Sequence, residues 1–155
     1  MNKKIKGQIA IEYIIFIAIF LLFFQAILKP TVDFAEVVIT DVQSVSVSKE
    51  NVTNLANNIN SLESSLGYGK RIMFFYLPGN AILKSCSDTS LNYEITISKV
   101  KPDPPNPPCQ NGVCTLSEDL YLGSNSITCD VIGPGFTGNL VIEKTQTGDI
   151  DVSIQ

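Results

Sequence analysis

The sequence predicts an α+β chain, with one long N-terminal α-helix packed on a C-terminal antiparallel β-sheet head. Three observations carry that expectation. Residues 9–28 form an apolar run of membrane-spanning length. An apolar stripe at three- and four-residue spacing follows, over residues 38–66. From Lys70 onward the periodicity changes to two-residue alternation, which belongs to strands. Beyond the apolar run, the 155-residue chain leaves room for one small domain and too little for two.

Composition removes several function classes. The chain has no histidine, which excludes Ser-His and Cys-His nucleophile pairs and every histidine metal site. The net charge is −4, and Lys3, Lys4 and Lys6 precede Gln8, so the remainder is more acidic still. No basic patch with interleaved aromatics occurs, so nucleic acid is not an expected partner. The head carries no paired-carboxylate motif and no convergent catalytic set. The expectation is a protein that is not an enzyme, with no cofactor and no metal.

Residues 9–28, as a helix rising 1.5 Å per residue, would span roughly 30 Å, one hydrocarbon thickness. Only Glu12 and Gln25 interrupt it. The three preceding lysines keep the N-terminus cytoplasmic and send the C-terminal part outward. The run is too long for a secretory signal core, and "LKPTVDFAE" offers no small-x-small cleavage site behind it. A plain signal anchor explains all of this except Glu12. A charge at the centre of a membrane helix costs roughly 2.5–3.5 kcal/mol on insertion scales, less near an interface. One turn in, Glu12 costs less than that, but it calls for a counter-charge.

A basic leader, then Gly7-Gln8, then "QIAIEY" opening a long apolar helix, resembles the archaeal type IV pilins. The resemblance covers roughly residues 3–28 at motif level and is only architectural beyond. It implies a leader peptide, residues 1–7, recognised through Lys4, Lys6, Gly7 and Gln8 and cut after Gly7 by a prepilin peptidase. It implies assembly through Gln8, Glu12 and Tyr13 into a homo- or hetero-polymer with other pilins. The expected location is a single-pass membrane precursor that becomes an extracellular cell-surface filament. Cleavage would remove three positive charges and create an ammonium on Gln8, which Glu12 can neutralise within its own chain or in a neighbour. Breaking one partner of a buried pair costs about 3–5 kcal/mol, so Glu12 would penalise subunits docked out of register. The alternative is a non-polymerising membrane-anchored protein with an extracellular ligand-binding head.

The expected division is leader 1–7, membrane and filament-core helix 8–30, amphipathic helix 31–67 and β-rich head 68–155. Pro30 is expected to end or bend the apolar helix. Val38, Val42, Val45, Val52, Leu55, Ile59, Leu62 and Leu66 then form the stripe, with one slot missing near Ser48 and Lys49. "SVSVSK" alternates like a strand, but the stripe keeps helical phase across it. Gly67 and Gly69 are expected C-cap residues. The rod would measure roughly 85 Å if helical throughout residues 9–66. Asn51-Val52-Thr53 is the sole N-x-Ser/Thr sequon, making Asn51 a candidate glycosylation site.

In the head, "RIMFFYL" reads as a buried strand turned by Pro78-Gly79, and "LNYEITISK", "LVIEK" and "DIDVSI" alternate. Gly148-Asp149 reads as the hairpin turn between the last two, with Ile150, Val152 and Ile154 on one face. "KPDPPNPPC" is expected as a stiff surface loop, since proline cannot occupy a central strand. Asn111-Gly112 predicts a hairpin that would set Cys109 opposite Cys114 and leave Cys86 for Cys129. Four cysteines allow three connectivities, and the sequence leaves the choice open. No C-x-x-C pair occurs, so disulfides in an exported head are the natural reading. Glu118-Asp119 reads as a turn, and Asp149 and Asp151 as solvated surface without a calcium-loop signature.

Overall fold

The computed structural model describes residues 3–97, 109–110 and 112–155, and of residues 3–10, 109 and 110 the backbone alone. One helix, α1 (Lys3–Glu63), precedes eight strands. These are β1 (Gly69–Tyr76), β2 (Ala81–Ser87), β3 (Ser90–Thr96), β4 (Cys109–Gln110), β5 (Val113–Asp119), β6 (Ile127–Cys129), β7 (Thr137–Lys144) and β8 (Ile150–Ile154). The chain forms two compact units, Met1–Val38 and Ile39–Gln155, and α1 contributes to both. The predicted α+β class holds: a long N-terminal helix and a C-terminal β region.

In the first unit α1 is continuous through Pro30, so the expected boundary at that residue is not a break. The Thr31 hydroxyl donates to the Ile27 carbonyl at 2.6 Å, a local bond one turn back beside the site where proline supplies no N–H. In the second unit, α1 buries Val52, Leu55, Ala56, Ile59 and Leu62. The gap in the apolar stripe is filled by Ser48, which is 0 % exposed. Asp41 and Ser44, two turns and one turn earlier, are buried with it, whereas Val42 lies exposed. The inward face is therefore shifted by about one position from the valine stripe, and its N-terminal part is polar.

Helix α1 ends at Glu63, before the expected stop at residues 66–67. Ser64 N–H still donates to Asn60 O, while Ser65 N–H bonds Leu62 O at the tighter i−3 spacing. The Ser64 and Ser65 hydroxyls take Ser61 O and Leu62 O. These bonds consume carbonyls that a continuing helix would use. Leu66, assigned to the stripe by spacing, is fully exposed. Gly67 has φ 98°, which a residue with a Cβ adopts only with strain, and so turns the chain. Gly69 is no cap; it opens β1.

The head contains two four-stranded sheets rather than the single antiparallel sheet expected. The first runs β1-β7-β8-β6 and the second β2-β3-β5-β4. All pairings are antiparallel except β6 with β8. Parallel pairing requires a crossover, and that long-range connection has no local signature. One core cluster joins helix residues 52–62 to both sheets, through Phe75, Leu140, Ile142, Ile150 and Val152 on one side and Leu83, Leu91, Tyr93 and Ile95 on the other.

The β3 alternation is as predicted, with Leu91, Tyr93 and Ile95 buried. The β7–β8 hairpin forms, with Gly148 at φ 98°. Ile150 and Val152 are buried, but Ile154 at the strand end is half exposed. "RIMFFYL" is not a buried strand: β1 is an edge strand whose Ile72, Phe74 and Tyr76 face outward. Glu118-Asp119 is no turn but the end of β5. The proline-rich expectation falls on residues 98–108, outside the described residues.

Candidate functional site

The candidate site is the N-terminal part of α1 with its apolar run, the segment to which the resemblance assigns leader recognition and assembly. The backbone of Lys4, Lys6, Gly7 and Gln8 is helical, continuous with the segment that follows. Gln8 and Glu12 are four residues apart on one helix, so they occupy the same face about 6 Å apart along the axis. Glu12 is exposed and Tyr13 is 66 % exposed. Ile14, Phe16, Ile19, Leu22 and Phe23 are each at least 60 % exposed, although they point in different directions around the helix. Phe20 and Phe24, one turn apart, stack at 6.0 Å.

Apolar side chains on every side of one helix mark a segment that is buried by something other than water. The helix is long and apolar enough to cross a membrane, and none of its most apolar 18-residue window is buried within the chain. A helix satisfies its own backbone groups, which lets this segment leave water without orphaned donors. Its chemistry is that of packing and of one placed carboxylate.

The head is cross-linked within itself. A disulfide joins Cys86 on β2 to Cys129 on β6, so it ties one sheet to the other. Cys114 is also disulfide-bonded, and the β4–β5 register sets Cys109 opposite it. Gly112, at φ 80°, makes the tight turn between them. Both features follow from the Asn-Gly signal read in the sequence.

Asn51 lies on α1, half buried, and its amide nitrogen donates to Val47 O at 2.9 Å. A glycan on that nitrogen would have to break this bond. Asp149 is occupied structurally: its carboxylate accepts from the Ser126 N–H and hydroxyl and from the Thr147 hydroxyl at 2.9 Å. These bonds, the Ser126 hydroxyl foremost, hold its pKa below the usual carboxylate value. Asp151 accepts from the Thr128 hydroxyl at 2.7 Å. The two acids pin β6 and the loop before it to β8 and its turn.

Three features of the head were not foreseen. Lys144 lies beneath the C-terminus of α1 and bonds Glu63 and Ser65 carbonyls. Asn60 on α1 accepts from the Tyr121 N–H at 2.8 Å and so fixes the chain leaving β5. Tyr93 is 1 % exposed, and burial, reinforced by the Glu118 carboxylate, pushes its pKa up to about 12. Lys144 gives no sequence signal, since a lysine ending an alternating strand normally points to solvent. Comparison with models of protein families, with curated proteins and with solved structures finds no match to this chain.

Proposed function

We propose that the chain is a structural subunit of an extracellular filament of the archaeal type IV pilus kind. It is inserted as a single-pass precursor, cut between Gly7 and Gln8, and assembled by bundling of its N-terminal helices. The observation that carries this reading is the combination of Glu12 with an apolar helix unburied on every side. A simple anchor needs the apolar surface but gains nothing from the carboxylate. A bundle needs both, because packing against identical apolar helices is poorly directional. A charge pair between Glu12 and the Gln8 ammonium would set the register.

In this reading lipid covers the apolar helix before assembly and neighbouring helices cover it afterward. Leader removal switches between the two states, by deleting three lysines that hold the N-terminus at the cytoplasmic face and by exposing the amine that Glu12 recognises. The disulfide-tied head remains outside and needs no refolding.

Mass spectrometry of the mature protein from its native membrane tests the reading. An N-terminus at Gln8 is expected. A functioning chain that retains Met1–Gly7 overturns it and leaves a tethered surface protein. Glu12→Ala offers an independent test: insertion is expected to persist while filaments fail or weaken, and normal filament yield would contradict the registration role.

A further inference from the structure

The head has one long sheet edge that nothing else in the described residues covers. In the sheet β1-β7-β8-β6, the β6 edge meets β2 through the Cys86–Cys129 disulfide and the Leu83–Ile132 bridge. The β1 edge has no such neighbour. Its register with β7 steps through residues 69–76 without a bulge, and no proline interrupts it. Exposed edges are normally blunted by proline, bulges or charges spread along the strand. Here the only charges, Lys70 and Arg71, sit at one end, followed by Ile-Met-Phe-Phe-Tyr.

The hydrogen-bond phase shows which residues the edge presents. Leu77 N–H donates to Phe136 O at 2.9 Å, the next step of the β1–β7 register. Odd-numbered residues of β1 therefore turn their backbone groups toward β7, and even-numbered residues turn theirs to the open edge. The even residues also carry the outer-face side chains: Ile72 is 57 % exposed and Phe74 64 %.

From this geometry we infer that β1 is a pairing edge for a second copy of the same chain, joined antiparallel about a two-fold axis at Met73. That register sets Ile72 opposite Phe74 of the second copy, and Lys70 opposite Tyr76 of the second copy. Every hydrogen-bonded pair is even with even, as the free donors and acceptors require, and the odd residues, Met73 on the axis among them, form the non-hydrogen-bonded pairs. Each lysine meets an aromatic ring, a favourable cation–π arrangement. The two Lys70 ammoniums lie about 20 Å apart, well beyond the screening length. Parallel self-pairing would instead set lysine beside lysine. Lys70 also lies 3.8 Å from the exposed Glu143 carboxylate on β7. The antiparallel copy leaves that pair intact while setting each lysine beside Tyr76, so charge placement on β1 favours the antiparallel orientation.

The size of the contact sets its role. Two strands contributing Ile72, Phe74 and Tyr76 bury an area at or below the ~1,000 Å² of a stable specific interface. Single heads would associate weakly, and many heads held on one membrane or one fibre would associate through effective concentration. A two-fold contact closes on itself, so in a polar filament it would join heads of neighbouring filaments. The contact does not depend on the filament reading, because heads crowded on a membrane meet the same condition.

Oxidative cross-linking of full-length chain in membranes tests it. The described cysteines are all bonded, so an added one reports cleanly. Met73→Cys is expected to give a disulfide-linked dimer, since residues on the axis form a close non-hydrogen-bonded pair within disulfide reach. Adding Phe74→Lys is expected to abolish that dimer. Tyr121→Cys, at a position more exposed than the partly buried Met73, reports random collision. Cross-linking at residue 73 no greater than at residue 121, or unaffected by Phe74→Lys, overturns the inference. Should Met73→Cys fail to fold, chains carrying Ile72→Cys mixed with chains carrying Phe74→Cys give the same reading through a short bis-thiol reagent. The expected result is more dimer in the mixture than in either variant alone, and equal yields overturn the inference. A chain that keeps Met1–Gly7 yet cross-links through residue 73 separates failure of the filament reading from failure of this one.

Discussion

The Lys144 ammonium donates to the Glu63 carbonyl at 2.7 Å while lying 3.3 Å from the Glu63 carboxylate. One cation thus serves as C-cap and ion-pair partner to the last residue of α1. Both side chains are nearly buried, at 11 % and 15 % exposure. Asn125 completes the arrangement by donating to the other Glu63 oxygen at 2.6 Å. Glu63 Oε2 has no hydrogen bond of its own, so its charge is met by the Lys144 ammonium through proximity alone. A positive charge beneath a helix C-terminus also opposes the helix dipole.

Lys144→Met is therefore expected to destabilise the head by about 3 kcal/mol, because it leaves a buried carboxylate uncompensated. Adding Glu63→Gln should restore part of that loss by removing the charge. Urea unfolding of the full chain in detergent checks both. Equal stability of Lys144→Met and wild type would show that the pair contributes nothing.

Cys86→Ala paired with Cys129→Ala is expected to cost about 3–4 kcal/mol, since the bridge closes a loop of 43 residues between two sheets. Non-reducing peptide mapping should recover Cys86 with Cys129, and Cys109 with Cys114. A free thiol at any of the four would contradict the structure.

Two titrations bound the pH range of stability. The folded pKa of Asp149 is lowered, so its contribution is present above the unfolded value, near 3.9, and is lost as pH falls through the folded value. Asp149→Asn should flatten the acid limb of the stability profile. The folded pKa of Tyr93 is raised to about 12, so its contribution is present below the unfolded value and is lost as pH climbs toward about 12. Tyr93→Phe should flatten the alkaline limb, read by fluorescence-monitored unfolding across pH.

Substitutions along α1 should separate the real inner face from the apparent one. Leu55→Ala, at a fully buried position, is expected to cost about 2–5 kcal/mol. Val42→Ala, on the exposed side, should change stability by less than about 0.5 kcal/mol. Ser48→Ala should be neutral or stabilising by about 1 kcal/mol, since its buried hydroxyl has no hydrogen-bond partner. Thermal unfolding ranks the three, and a large loss at Val42 would restore the valine stripe as the packed face.

The sequence by itself determined the elements whose cause is local. The helix follows from apolar and helix-compatible residues in unbroken phase, even across "SVSVSK". The β3 strand, the β7–β8 hairpin and the Cys109–Cys114 hairpin follow from alternation and from glycines that accept positive φ. The exposed apolar helix with Glu12 one turn from Gln8 was likewise legible, because the pattern is local to one continuous helix. Only the tertiary structure decided where α1 stops, which face of it is inside, and how the strands divide. Those outcomes depend on partners distant in sequence. Lys144 meets Glu63 across 81 residues, and Ser48 fills a core position that its polarity disguised. The edge position of β1 left Phe74 and Tyr76 facing outward while Phe75 between them is buried, because a strand's burial is set by its neighbours in the sheet. Composition and period describe a residue's preference, but the packing of distant elements fixes its environment.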